Sequence, residues 1–262
     1  MKRRRLFAAL LKFWRARRGL SQLALSLESD VSSRHLSFLE SGHAMPSEDM
    51  VLRLGSVLNV PLRDQNELLT AAGFEARFVE RTELPPEIDA ALTQMIKQHE
   101  PFPILVLGLD GTILRSSEGG RALFAKLLPP MKEPPITDIY SLHFDPKLLR
   151  PAVVDWEGLA RGMMSRLQRE ALQRDDERLH ARLDQLAKFD GVPDAWRQPD
   201  FSDHATTFQV RYEKGKTKVA FLVTATVFLG PRELALEELR IESCFPLDKA
   251  TRETCERFGS RT

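Results

Sequence analysis

GLSQLALSLESDVSSRHLSFLESG, residues 19–42, is the stretch that decides how the first part of the chain folds. Ser21 offers an N-cap to a short helix, and Ser32 or Ser33 offers one to a second helix that ends at Gly42. Two short helices joined by a tight turn, the second with polar residues at its start, have the geometry that places side chains in a DNA major groove. The stretch therefore predicts a helix-turn-helix.

Apolar residues at spacings of three and four predict further helices on both sides of this stretch. The first covers 6–17 and stops before Gly19, the fourth opens at Pro46, and the fifth begins at Pro61. Together with the two helices above, they predict an all-α N-terminal domain of five short helices.

The composition indicates a folded protein with positive charge concentrated at one end. Of its 262 residues, 42% are hydrophobic and 29% are charged, and the formal net charge is +1, which leaves ample material for a core. No stretch reaches the roughly 18 consecutive apolar residues of a membrane span, and we interpret the basic opening as a cytoplasmic N-terminus. Residues 1–20 hold eight basic side chains and no acidic one. Such a cluster can meet DNA phosphates, meet anionic lipid headgroups or stay solvated.

The rest of the chain mixes helices with strands. A linker over 76–101 contains one helix, and a hairpin with the turn Asp110-Gly111 follows it. The predicted elements are the linker helix 87–98, hairpin strands 104–109 and 112–114, helices 117–128, 138–149, 156–172 and 176–189, and strands 208–212, 219–228 and 239–245. The sequence thus predicts an α+β protein of two domains, 1–75 and 102–262, the second with an antiparallel sheet.

Several residues around the predicted turn stand at a recognisable spacing. They are Leu20-Ser21-Gln22, Leu36, Leu39, Glu40-Ser41-Gly42 and Pro46. With them the chain resembles, over roughly residues 5–73, the phage-repressor-like XRE family of helix-turn-helix regulators. The resemblance implies that Gln22 contacts a DNA phosphate and that Arg15 pairs with Glu40 inside the domain. The residues it places against the bases are Ser32, Ser33, Arg34, Ser37 and Phe38.

The chemistry of these side chains supports part of that assignment. Arg34 can donate two hydrogen bonds to O6 and N7 of a guanine, and Phe38 can touch a thymine methyl group. The alternative for Arg34 is a solvated surface charge. Arg17 and the basic residues at 3–5 can contact phosphates in a salt-dependent manner that is independent of sequence, or they can form a solvated tail.

Three segments of the second half carry another resemblance. They are PFPILVL at 101–107, GVPDAW at 191–196 and EELRIESCFPLD at 237–248. Over roughly residues 102–258 the chain resembles the MmyB-type regulator ligand-binding domain. This resemblance implies a PAS-like fold and a bound fatty acid or similar apolar molecule. After the first hairpin the chain departs from the family's usual Trp and Asn, since Leu114 and Ser116-Ser117 stand there.

An apolar ligand needs a pocket lined by large apolar side chains with few polar groups. Candidate lining residues are Trp156, Met163, Met164, Phe208, Phe221 and Phe228. Ordinary core packing is the alternative for each of them. A domain that only mediates dimerisation is the alternative for the whole second half.

No enzymatic signature emerges from the sequence. His204 and Cys244 could form a base and a nucleophile, but no motif relates their positions. The histidine spacing fits no metal site, and two cysteines are too few for a disulfide framework, so both are expected to be reduced. The sequence therefore predicts a DNA-binding transcription regulator without catalytic activity, acting on double-stranded DNA as a homodimer and sensing a small ligand, with no membrane partner.

Overall fold

The computed structural model describes residues 2–78, 84–130, 138–174, 176–198, 208–228 and 233–259. The chain divides into two compact units. Unit 1 comprises Met1–Glu83 together with Gly230–Glu237, and unit 2 comprises Leu84–Leu229 together with Glu238–Thr262. The helix predicted within the linker lies in unit 2.

All the regular secondary structure in the described residues of unit 1 is helical. Its helices are α1 (Lys2–Arg17), α2 (Gln22–Ser29), α3 (Ser33–Glu40), α4 (Glu48–Val57), α5 (Leu62–Ala72) and the four-residue α11 (Leu234–Glu237). The five predicted helices are therefore confirmed. The prediction missed α11, and α1 starts earlier than the predicted residue 6, because the basic residues before Leu6 continue the helix although they add nothing to its apolar face.

Local caps explain the helix boundaries in unit 1. The Ser21 hydroxyl accepts the N–H of Ala24 at 3.0 Å, and the Ser32 hydroxyl accepts the N–H of His35 at 3.2 Å. Ser32 is therefore the cap of α3, while the Ser33 hydroxyl lies 2.9 Å from that of Ser26. The core residues buried between the helices include Phe7, Leu11, Trp14, Leu25, Leu36, Leu39, Leu54, Leu58, Leu68 and Leu69.

Unit 2 combines a sheet with helices. Its helices are α6 (Pro86–His99), α7 (Glu118–Leu127), α8 (Ile139–Phe144), α9 (Trp156–Arg174), α10 (Glu177–Leu186) and α12 (Lys249–Gly259), with short 3-10 helices at Arg150–Ala152 and Asp194–Arg197. Its strands are β1 (Ile104–Leu107), β2 (Ile113–Ser116), β3 (Phe208–Lys214), β4 (Thr217–Thr226) and β5 (Arg240–Pro246).

The five strands form one antiparallel sheet in the order β2-β1-β5-β4-β3. This confirms the predicted antiparallel sheet with two early and three late strands. In the register, Phe208 pairs with Val223 and Val223 pairs with Cys244, so these side chains form one row on one face across three strands. Helices α8 and α9 contribute Ile139, Phe144, Leu159 and Met163 to the same hydrophobic core.

Several predicted boundaries in unit 2 were wrong, and one helix was missed. The second strand covers Ile113–Ser116 instead of 112–114, and the helix predicted to reach residue 149 ends at Phe144, because Asp145-Pro146 interrupts it. The terminal helix α12 was not predicted, since its surface is mostly polar. Asp248 caps it by accepting the N–H of Thr251 at 2.7 Å. This backbone hydrogen bond, together with a second one from the Thr251 side chain, holds the pKa of Asp248 below its usual value.

Candidate functional site

The exposed side of α3 carries the side chains expected to face DNA. Arg34, Ser37 and Phe38 are exposed, and Ser33 is half-buried. The Arg34 guanidinium lies over the Phe38 ring, with 5.5 Å between its carbon and the ring centroid. Because residues three and four apart share a helix face, Arg34, Ser37 and Phe38 form one continuous polar and aromatic surface.

A buried ion pair holds α3 from behind this surface. Arg15 on α1 donates from Nε to Glu40 Oε1 at 2.5 Å and from Nη2 to Oε2 at 2.9 Å, which is a two-pronged contact. Gln22 adds a third donor to Oε2 at 2.7 Å. Burial alone would raise the pKa of Glu40, but the hydrogen bonds from Arg15 and Gln22 outweigh it and leave the pKa below its usual value. The expected pairing of Arg15 with Glu40 is confirmed.

The same contact defines the position of Gln22. Its amide nitrogen is directed at Glu40, while Ser21 immediately before it caps α2. Gln22 thus sits at the start of α2 in a fixed orientation. Its phosphate contact remains a prediction.

The basic cluster of α1 divides into structural and exposed members. Arg18 donates to the carbonyls of Leu58 and Asn59, both at 2.6 Å, and burial followed by the charge of Arg17 lowers its pKa. The Arg17 guanidinium lies over the rings of Phe13 and Trp14, with centroids at 5.7 and 6.0 Å. The exposed cations of the helix are Arg3, Arg4, Arg5 and Lys12. These four cations are therefore presented to solvent.

A cavity in unit 2 lies between one face of the sheet and helices α8 and α9. Its lining residues are Leu105, Phe124, Ile139, His143, Leu159, Met163, Arg166, Phe208, Val210, Tyr212, Val223, Glu242 and Cys244. The space inside it that a water molecule can occupy is about 30 Å³, which is enough for one or two waters. A larger guest must push side chains apart.

The two predicted residues that line this cavity are Met163 and Phe208. Met164 and Phe221 are buried in the core beside it, and Trp156 packs against the core with its ring 6.1 Å from that of Phe144. Phe228 follows the end of β4 and is not among the cavity residues. Two of the six candidates therefore line the cavity, and the other four do not.

His143 and Tyr212 form a buried polar pair in the cavity wall. His143 Nδ1 lies 2.8 Å from the Ile139 carbonyl and its Nε2 lies 2.7 Å from the Tyr212 hydroxyl. A carbonyl only accepts, so Nδ1 carries the proton and Nε2 accepts from Tyr212. Burial lowers the pKa of His143 and raises that of Tyr212. Both groups are therefore neutral near pH 7.

A cluster of charged side chains is the second polar feature at the cavity. Glu242 Oε1 lies 3.0 Å from Arg166 Nη1 and 3.1 Å from Arg240 Nε, and Arg240 Nη1 lies 3.4 Å from Glu170 Oε2. Burial lowers the pKa of Arg240, but the charges of Glu242 and Glu170 and the contact with Tyr140 together outweigh this and leave the pKa raised. The Arg166 guanidinium also lies 5.5 Å from the Phe208 ring centroid.

Sequence reasoning missed the four polar cavity residues His143, Arg166, Tyr212 and Glu242. One signal was available: Arg240 and Glu242 stand two apart on a strand, so both lie on one face of the sheet, where apolar residues are usual. Their partners on α9 stand about 70 positions away in sequence, and no local pattern reveals such a distance.

Of the two residues considered for catalysis, the structure describes Cys244. Cys244 is buried, and burial raises the pKa of its thiol, which disfavours the thiolate nucleophile. His204 lies outside the described residues. Among the residues that the structure describes, no group of His, Cys, Asp and Glu side chains is arranged to hold a metal ion.

Comparison with protein families places both halves of the chain. Residues 88–257 match the MmyB-like transcription regulator ligand binding domain, and residues 11–65 match the helix-turn-helix family. The first match covers more than half of the chain, so the chain belongs to the MmyB-like family of regulators. Both predicted resemblances are confirmed. No curated protein matches the chain.

The matched families define a DNA-binding transcription regulator with a ligand-binding domain. Both are domains of transcription regulators, and neither is an enzyme family. Within the described residues, no helix is long and apolar enough to cross a membrane.

Proposed function

We propose that the chain reads a specific DNA sequence through the exposed face of α3 and that a small apolar molecule in unit 2 regulates this reading. The observation that carries the proposal is the pairing of an exposed Arg34, Ser37 and Phe38 surface with the Arg15–Glu40 contact behind it. A surface that is rigid before DNA arrives loses little conformational entropy on binding.

Each side chain of the surface has its own role in the proposal. Arg34 donates to a guanine edge, Phe38 contacts a thymine methyl group, and Ser33 and Ser37 reach base edges or phosphates. Ser32 and Gln22 stand at helix N-termini, where backbone N–H groups also favour phosphate oxygens. Arg17 and the exposed cations of α1 add phosphate contacts.

The chain acts as a homodimer in this proposal. One short recognition helix reads too few base pairs for tight binding, and regulators with this motif place two helices about 34 Å apart on a two-fold operator. An operator with two related half-sites at that spacing is therefore expected.

Selection of DNA from a random duplex library by the purified full chain tests this function. The expected result is an enriched palindrome with a guanine in each half-site. Lys126→Ala, which removes a cation of unit 2, serves as the matched control and should select the same palindrome. Enrichment of no sequence above background would contradict sequence-specific reading.

The lining of the cavity supports the proposal that the ligand resembles a fatty acid. Its wall is mostly aromatic and aliphatic, and Met163 is a flexible side chain that can adapt to a guest. Since the available space is about 30 Å³, entry of an alkyl chain must separate the sheet from α9. Binding would therefore change the packing of the domain, which is the kind of change that regulation requires.

Native mass spectrometry of the purified chain, followed by extraction in denaturant, tests the ligand and the dimer together. A dimer that releases a stoichiometric alkyl-chain compound supports both. A dimer without any compound, and without a thermal shift when myristic acid is added, favours the alternative that unit 2 serves dimerisation alone.

A further inference from the structure

Two polar features line the cavity of unit 2, and one of them has open hydrogen-bonding positions. In the first, the Tyr212 hydroxyl donates to His143 Nε2 at 2.7 Å and His143 Nδ1 donates to the Ile139 carbonyl at 2.8 Å, so the donors of this pair are used. In the second, the Nε of Arg166 and the Oε1 of Glu242 are buried and form no hydrogen bond with any residue that the structure describes. Both residues line the cavity. These open positions therefore mark the place for a polar group of the ligand.

The two open positions are neighbours, and they differ in kind. Glu242 Oε1 lies 3.0 Å from Arg166 Nη1, and this nitrogen belongs to the same planar guanidinium as Nε. The guanidinium Nε can only donate a hydrogen bond, and the carboxylate Oε1 can only accept one. One small head group that donates a hydrogen bond and also accepts one can therefore satisfy both positions.

The charges at this end of the cavity are already paired. Glu242 lies between the guanidinium groups of Arg166 and Arg240, at 3.0 and 3.1 Å. Arg240 in turn lies 3.4 Å from Glu170, so two cations meet two anions. A carboxylate head group accepts hydrogen bonds and donates none. It would leave Glu242 Oε1 open and add a second negative charge beside it, whereas a neutral head group avoids both costs.

We infer that the ligand of unit 2 is an alkyl compound with a neutral head group that both donates and accepts, such as a primary amide or a hydroxyl group. The N–H or O–H of the head group donates to Glu242 Oε1, and its oxygen accepts from Arg166 Nε. The alkyl chain lies against the apolar wall that includes Met163 and Phe208. The inference rests on the apolar ligand proposed above and specifies the chemistry of its head group.

Three compounds with the same acyl chain separate the effect of charge from that of hydrogen bonding. Myristamide is neutral and both donates and accepts, methyl myristate is neutral and only accepts, and myristate is charged and only accepts. The full chain, freed of any co-purified compound, is incubated with an equimolar mixture at pH 8 and passed through gel filtration. The retained compounds are then extracted in denaturant and quantified by chromatography. Wild type should retain at least about ten times more myristamide than either other compound, because a hydrogen bond to a charged group contributes about that factor.

Three variants test the assignment of the two positions. Glu242→Gln removes the negative charge beside Arg166 and Arg240, so this variant should retain myristate in preference to myristamide, which reverses the wild-type order. Arg166→Gln, at a half-buried position, removes the donor and should retain about tenfold less myristamide. Arg169→Gln removes an exposed cation of the same helix and, as the matched control, should keep the wild-type order. Melting curves without ligand show whether each variant is folded.

Three results would overturn the inference. The first is a wild type that retains myristate as well as myristamide, the second is equal retention of methyl myristate and myristamide, and the third is a folded Glu242→Gln variant that keeps the wild-type order. If Glu242→Gln does not fold, undiminished retention of myristamide by Arg166→Gln decides against the inference. If the wild type retains none of the three compounds, the proposed ligand fails first and the inference fails with it, while DNA selection by α3 remains a separate result.

Discussion

Unit 1 and unit 2 use polar side chains in opposite ways. In unit 1 the buried pair of Arg15 and Glu40 lies behind α3, and the polar surface formed by Arg34 and Ser37 faces outward. In unit 2 the polar groups line an internal cavity. A surface that meets DNA can leave its donors to water until the partner arrives. Buried polar groups in a mostly apolar wall depend on protein partners, as His143 does on Tyr212, because unpaired buried groups are costly.

This difference explains why the two sites were not equally visible in the sequence. The helices of unit 1 follow from local signals, such as the Ser21 and Ser32 caps and the apolar spacing around Leu36 and Leu39. The proposed recognition surface lies within one helix, so its composition could be predicted once α3 was placed. The pairing of Arg15 with Glu40 came from family resemblance alone.

The cavity depends on contacts between distant residues. Tyr212 meets His143 across 69 positions. Met163 and Phe208 look like ordinary core residues in the sequence, as do Met164 and Phe221. Only the tertiary structure shows that the first two line the cavity and the other two pack in the core. Helix α12 was invisible for a related reason, since its few apolar residues include Cys255 and Phe258, and its contacts are long-range.

The largest loss of stability is expected when the Arg15–Glu40 pair of unit 1 is broken, and it should exceed the loss from breaking an exposed pair. Glu40→Ala leaves the Arg15 guanidinium, whose side chain is 15% exposed, with the Leu20 carbonyl as its remaining acceptor. It should destabilise unit 1 by about 3 kcal/mol, the lower end of the cost of breaking a buried pair. Chemical denaturation followed by the fluorescence of Trp14, in a chain with Trp156→Phe and Trp196→Phe, measures it.

Glu48→Ala is the matched control for that prediction. Glu48 pairs with Arg77 at 3.7 Å while its side chain is 46% exposed, so its loss should cost less than about 1 kcal/mol. Equal costs for the two variants would mean that the Arg15–Glu40 contact does not hold α3 in place.

A smaller effect is expected from the polar pair in unit 2. Tyr212→Phe removes the hydroxyl that donates to His143 Nε2 and leaves this buried acceptor unsatisfied, at a cost of about 1–3 kcal/mol. Denaturation of a Trp14→Phe background reports on unit 2 through Trp156 and Trp196. An unchanged midpoint would show that the acceptor finds another partner. Replacing both partners, with His143→Leu and Tyr212→Phe, should recover part of the loss.

The same pair predicts an acid sensitivity of unit 2. Burial lowers the pKa of His143 in the folded chain, so the unfolded chain binds the extra proton more readily. This contribution to stability is complete above the ordinary imidazole value of about 6.5 and declines as the pH falls below it. Denaturation at pH 7.5, 6.5 and 5.5 should show that decline. His143→Gln should lessen it, and an identical slope in this variant would assign the decline to other groups.

The smallest effect on stability is expected at the N-terminus of α1. Changing Arg4 and Arg5 together to Gln should alter the free energy of unfolding by less than about 0.5 kcal/mol, because both are exposed. Binding to every duplex should weaken. If each residue contacts one phosphate, the slope of log affinity against log salt should flatten by about 1.8 for each protomer, which is about 3.6 for the proposed dimer. An unchanged salt slope together with unchanged affinity would show that these two residues form a solvated tail and do not contact phosphates.

Removal of the Arg34 side chain tests whether α3 reads bases. Selection from the random library is repeated with Arg34→Ala, and the affinity of both proteins is measured on the wild-type palindrome and on a scrambled duplex. We expect the variant to lose the guanine preference at one position of each half-site and about 1–3 kcal/mol of specific binding, while scrambled DNA is bound nearly as before. An unchanged consensus with unchanged affinity would show that Arg34 does not read a base.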